Sequence, residues 1–142
     1  VAAQTKIGVL QTRFGNSVVT RTKAYDNLES RLDKLTTNLK AKSVDTTTLE
    51  QQITELKSKI TTYNTDLTAY KQSLSDLKAV DCKTDPDGFQ AALQAARSAH
   101  DTLVNDALAV RTYLVDTIRP TLESIAKSLE STSTNNSTSG SN

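Results

Sequence analysis

The amino-acid sequence predicts an all-α protein, an elongated antiparallel three-helix bundle of coiled-coil character running up-down-up. Three observations predict it. In the stretch from Leu49 to Leu77 the apolar residues are Leu49, Ile53, Leu56, Ile60, Tyr63, Leu67, Tyr70, Leu74 and Leu77, in unbroken steps of four, three, four, three. That period of 3.5 residues is the seam of a left-handed coiled coil. The 142 residues include only four Gly and two Pro, few breakers for a chain of that length. Two short polar breaks divide the periodicity into three blocks, and connections that short make consecutive helices antiparallel neighbours. The expected organisation is a bundle over residues 1–130, with helices at about 4–42, 46–80 and 86–130, followed by a Ser/Thr/Asn-rich tail over 131–142.

The first helix carries Ile7, Leu10, Phe14, Val18, Tyr25, Leu28, Leu32, Leu35 and Leu39. From Tyr25 onward its steps match those of the central helix. Between Leu10 and Val18 two successive steps of four make a stutter. The heptad register also sets Arg21 on the apolar face, where a long side chain snorkels to water at the bundle edge. Asp26, Glu29 and Asp33 alternate with Arg31 and Lys34, the pattern of a solvated face.

At the first break, Asp45 is the expected N-cap of the second helix, with Val44 and Leu49 placed to form a hydrophobic staple. In that helix Tyr63 and Tyr70 occupy seam positions and need more room than Leu or Ile. The second break reads VDCKTDPDG, in which Asp85 caps and Pro86 takes the first helical position, where its missing N–H costs nothing. The acids Asp81, Asp85 and Asp87 do not make a calcium loop. With Gly88 at the sixth position, Lys83 and Gln94 would stand first and last, and both are wrong ligands.

The third helix shows Phe89, Leu93, Ala96, His100, Leu103, Ala107, Leu114, Ile118, Leu122, Ile125 and Leu129 on one face, widened by Val104, Leu108, Val110 and Val115. A stripe so broad should meet two partners, or one partner plus another copy of the chain. Pro120 predicts a kink or break near 119–120, with helix resuming to about Glu130. From Ser131 the chain has no apolar residue, and its composition is that of a flexible tail. The overlapping sequons Asn135-Asn136-Ser137 and Asn136-Ser137-Thr138 make Asn135 and Asn136 the candidate glycosylation acceptors.

Composition narrows the function. Seventeen basic and sixteen acidic residues leave a formal charge of +1, which argues against a nucleic-acid partner. No apolar run approaches the roughly 20 residues of a membrane span. Thr and Ser make up about a quarter of the residues, which fits either an uncharged, wettable surface of the kind exported proteins carry or compositional drift in one lineage. The chain has no Met; Val1 can follow removal of an initiator Met or, as the opening Val-Ala-Ala suits better, of a signal peptide, so the expected location is extracellular or on the cell surface. Cys82, the lone cysteine, has no internal partner and is the candidate for an intermolecular disulfide. His100 is the lone histidine, on the apolar side of its helix, where a satisfied interface histidine is the ordinary reading. No HExxH, CxxC, GxGxxG or phosphate-binding loop occurs, so no catalytic, cofactor-binding or metal residues are assigned and no small-molecule substrate is expected.

The stretches Tyr25–Leu35 (YDNLESRLDKL), Val44–Ile53 (VDTTTLEQQI) and Phe89–Leu114, in this order, resemble a family of uncharacterised, exported, all-helical proteins of Candidate Phyla Radiation bacteria, which are ultra-small cells. The resemblance implies export and the three-helix order, and it brings no activity and no functional residues. The Thr, Ser and Asn richness here departs from the Lys, Arg, Glu and Ala richness common in that family. The expected function is a non-enzymatic structural subunit of an exported filament or surface assembly, a homo-oligomer or homopolymer. Its self-contacts are expected at Ile7, Leu10, Phe14, Val104, Leu108, Val115, Leu122, Ile125 and Leu129, and through the C-terminal tail. The alternative is a monomeric or dimeric helical binding or adaptor module in the periplasm or on the cell surface.

Overall fold

The computed structural model describes residues 2–137, and their side chains as far as residue 135. It is an all-α, three-helix bundle: α1 (Ala2–Ala41), α2 (Thr47–Ala79), and a third rod made of α3 (Pro86–Tyr113), a π turn (Leu114–Ile118) and α4 (Arg119–Ser137). At 1.5 Å per residue the 33 residues of α2 span roughly 50 Å.

The seam of α2 is buried along its whole length. Leu49, Ile53, Leu56, Ile60, Tyr63, Leu67, Tyr70, Leu74 and Leu77 are all core residues, the nine that the 3.5-residue period picks out. The two tyrosines find their room against rings from the neighbouring helices. Phe14 of α1 meets Tyr70 edge-on at 4.5 Å, and Tyr25 meets Tyr63 in the same way at 5.2 Å. His100 of α3 takes the other side of Tyr70 at 5.6 Å. The core falls into two clusters. One joins Ile7 and Val18 of α1 to the C-terminal half of α2 and to Ala96 and Leu103 of α3. The other joins Leu32 and Leu39 to the N-terminal half of α2, Val110 and Ile118.

α2 is the middle member. Among the described residues, no Cα of α1 comes within 8 Å of a Cα of α3, whereas both approach α2 that closely. Side chains bridge the space instead, with the large rings of Tyr63 and Tyr70 and their partners acting as spacers. α1 buries less for its length: Ile7, Val18, Leu32, Thr36 and Leu39. Thr36 was not expected in the core. Its hydroxyl is satisfied there by donating to the Leu32 carbonyl at 2.9 Å, one turn back.

The α1–α2 connection departs from the expected cap. The N-cap is Thr46, one residue beyond Asp45. Asp45 makes an Asx turn, its Oδ1 accepting from the Thr47 amide at 3.0 Å and the Thr47 hydroxyl at 2.8 Å, and these bonds hold its carboxyl below the usual range. α1 itself ends in a Schellman arrangement, the Val44 amide donating to Leu39 O and the Ser43 amide to Lys40 O. Ser43 takes the left-handed position with φ 59°, where glycine is the usual residue. At the other end, Asp85 caps α3 as expected, its Oδ1 accepting from the Gly88 amide at 2.9 Å.

Pro120 does not break the third rod. The proline has no N–H, and its ring crowds the carbonyl four residues back. One turn ahead of it the helix widens into a π turn, in which the Arg119 amide reaches back to Leu114 O. The extra residue re-aims the helix beyond it. The buried positions Ala96, Leu103 and Val110 are spaced by seven, but the next is Ile118, eight further on. Leu122 and Ile125 consequently stay on the α2 side, partly buried against the second cluster. The rod then continues past the expected end at Glu130 to Ser137. Hydroxyls of Ser131, Thr132 and Thr134 donate to carbonyls one turn back, which occupies polar groups that would otherwise compete for the backbone. The part of the expected tail beyond Ser137, and the side chain of Asn136, lie outside the described residues.

Candidate interaction faces

Apolar side chains left in water are the most conspicuous chemistry of this surface. On α3 and beyond, Val104 is 43% exposed, Leu108 52%, Val115 47% and Leu129 37%. On α1 the equivalents are Val9, Leu10 and Val19, each half exposed. Scattered exposed apolar residues are ordinary, but Val104, Leu108 and Val115 lie four and seven apart, which sets them in one line on one helix face. Val9 and Leu10 form a second small apolar patch with the stems of Thr5 and Lys6.

The expected self-contact residues divide into two sets. Leu10, Val104, Leu108, Val115 and Leu129 are exposed and available. Ile7 is not, because it is buried in the first core cluster, and Phe14 is engaged with Tyr70. Leu122 and Ile125 are packed toward α2 once the π turn has re-aimed them. For Ile7 the self-contact expectation is corrected, its apolar surface being spent inside the chain, whereas Phe14, Leu122 and Ile125 are partly buried and keep some surface in water. Asn135 is exposed on the last described turns of the third rod.

Between α1 and α3, where the backbones stay apart, a groove is lined by Phe14, Ser17, Val18, Arg21, His100 and Val104. Arg21 is exposed there, as a snorkelling side chain should be. His100 stands at the edge of the α2–α3 interface, against the Tyr70 ring. About half its side chain is exposed, and its Nδ1 lies 3.5 Å from Asp101.

Deeper in the bundle, Asp106 of α3 faces Asp66 of α2. The register supports the pairing, since Tyr70 with His100 and Glu55 with Tyr113 bracket it on the same antiparallel pair. One Asp106 carboxyl oxygen is buried without a hydrogen-bond partner. Burial, with a contribution from Asp66, pushes this carboxyl up to about 6. The Tyr25 hydroxyl, between Arg21, Tyr63 and Asp106, is likewise raised, chiefly by burial. No sequence motif marked Asp106, but one signal was present: it lies seven residues before Tyr113, which puts it in the track that faces α2.

The same interface carries a polar clasp nearer the π turn. The Tyr113 hydroxyl donates to Glu55 at 3.0 Å, and Lys59 lies 3.8 Å from Glu55 and 5.2 Å above the Tyr113 ring. Outside the core, α1 and α2 are tied by Lys57 with Asp33 at 2.9 Å and by Lys40 with Glu50.

These groups offer little for covalent chemistry. Cys82 is a half-buried free thiol in the α2–α3 connection, and His100 stands roughly 20 Å up α3 from that connection. Among the described residues, no group of three His, Cys, Asp or Glu is placed to hold a metal ion, and no helix is long and apolar enough to cross a membrane. Comparison with protein-family models, with curated proteins and with solved structures found no match to the chain.

Proposed function

We propose that the protein is a non-enzymatic structural subunit of an extracellular filament or surface assembly, joining copies of itself through apolar helix faces. The observation that carries this reading is the line of Val104, Leu108 and Val115, exposed along a rod whose other side is committed to α2. A rigid rod with seam-type packing on one face and apolar residues on another suits side-by-side assembly. Val9, Leu10 and Val19 supply a second apolar surface, which an open polymer needs in addition to the first. The extracellular part of the reading rests on the hydroxyl-rich surface and on the resemblance of the three stretches to exported helical proteins.

Electron microscopy and light scattering of the purified protein over a wide concentration range test the proposal. Fibres or sheets whose mass grows with concentration are expected. Monodisperse rods at high concentration would overturn it. A second reading, a helical binding module of the periplasm or cell surface, is favoured by the groove that Phe14, Val18, Arg21, His100 and Val104 form between α1 and α3. That reading expects a soluble monomer or dimer with no repeating self-contact.

A further inference from the structure

The outer face of α3 is complementary to itself when reversed end for end. A helix turns 100° per residue, so Arg97, Asp101, Val104, Leu108 and Arg111 of α3 fall within a sector of about 80°, and Val115 follows them at the start of the π turn. All six are exposed. Laid against itself antiparallel, the row matches Val104 with Leu108 and Asp101 with Arg111. Val115 then meets the aliphatic stem of Arg97, whose guanidinium comes beside the exposed carboxylate of Asp116. Laid against itself in parallel, the same row sets Arg97, Asp101 and Arg111 each on its own copy, three like-charge contacts. Charge therefore selects one orientation. The charged members are also uncommitted within the chain. Among the described residues Arg97, Arg111 and Asp116 form no ion pair, and Asp101 meets only His100 at 3.5 Å.

We propose that two copies of this chain pair through the outer face of α3, antiparallel about a two-fold axis near residue 106, with Val104 against the partner's Leu108 and Asp101 against the partner's Arg111. The proposal rests on the self-assembly reading above and specifies its first contact. A two-fold contact of this kind is closed. Extension beyond the pair then falls to a different surface, and Val9, Leu10 and Val19 on α1 are exposed for it. The apolar line is short, so the pair is weak and concentration-dependent, which suits a subunit whose many contacts add in a polymer.

Sedimentation velocity with the Cys82→Ser chain as background tests the pairing, with circular dichroism as the check on folding. Arg111→Asp and Asp101→Arg, each on an exposed position, should weaken the dimer by roughly tenfold or more, because each creates two like-charge contacts per dimer. The double variant exchanges the charges and should restore association to within about threefold of the background chain, since it recreates both pairs. Disulfide trapping reads the register independently. An equimolar mixture of Val104→Cys and Leu108→Cys chains should cross-link readily, and either chain alone should not. Cross-linking of each chain with itself would show a parallel pair and overturn the proposal. Fibres whose formation is unchanged in Arg111→Asp would also overturn it while leaving the assembly reading in place. A charge-sensitive dimer that never extends into fibres would do the reverse. A chain that stays monomeric at millimolar concentration overturns both.

Discussion

α2 and the N-terminal half of α1 both carry apolar residues at helical spacing, yet one is sealed and the other is half wet. Every apolar seam residue of α2 is buried, Leu49 and Leu56 completely. Over Ala2–Thr20, α1 buries only Ile7 and Val18, while Val9, Leu10 and Val19 are at least half exposed. The difference lies in what each helix faces. α2 has a neighbour on both sides, so each seam residue meets side chains from two directions. α1 approaches only α2, and its stutter between Leu10 and Val18 turns Leu10 off the seam. An apolar period makes a core only where a partner backbone comes close enough to close it.

The largest test of this contrast is a pair of truncations. Leu56→Ala, at a fully buried position, should cost about 3–4 kcal/mol in urea unfolding, combining lost transfer energy with a cavity. Leu10→Ala, at a residue 57% exposed, should cost less than about 0.5 kcal/mol. Equal costs would mean that α1 is sealed in solution by something other than this chain.

A smaller effect sharpens the α2–α3 side. The Asp106 carboxyl is raised from 3.8 to about 6, so the folded chain holds its proton more tightly than the unfolded chain does. Stability is therefore expected to fall as pH climbs from about 4 to about 6 and to level off above. Asp106→Asn, whose amide can donate to Asp66, should remove that slope and stabilise the fold by on the order of 1 kcal/mol at pH 7, with little effect near pH 4. Parallel pH profiles for the two chains would refute this account of the interface.

The turn that aims α1 at α2 offers a gain of similar or lesser size. Ser43→Gly relieves a left-handed conformation and should stabilise by about 0.5–1 kcal/mol, seen as a raised midpoint in thermal melts. The smallest effect expected is that of Lys57→Ala, below about 0.5 kcal/mol. Both Lys57 and Asp33 are largely in water, and screening leaves an exposed pair little to contribute. A loss above 1 kcal/mol would show that α1 depends on its outer ion pairs rather than on its apolar residues.

Much of the molecule was legible because heptad spacing is a local property. The nine seam residues of α2, the two breaks and the Asp85 cap come from spacing and side-chain chemistry alone. Thr36 was not legible, since a threonine enters a core only when its hydroxyl finds a carbonyl one turn back. Nor was the fate of Pro120. The pattern said that something must give near Arg119, but a break and a π turn both answer that demand. Only the packing of Ile118 against α2 distinguishes them. Of the proposed self-contacts, Val104, Leu108 and Val115 could be named from the width of the stripe. Ile7, Phe14, Leu122 and Ile125 looked equivalent to them, because a count of apolar residues does not say which partner takes each one.

By itself the sequence determined that this chain makes three rods and that α2 has a single apolar stripe, because helical period and turn chemistry act over a few residues. The tertiary structure decided that α2 stands between the other two rods, that the π turn re-aims α4, and that one line of α3 stays in water. Those outcomes depend on how bulky rings distant in the chain, such as Phe14 and Tyr70, pack between the backbones, and no local pattern contains that distance.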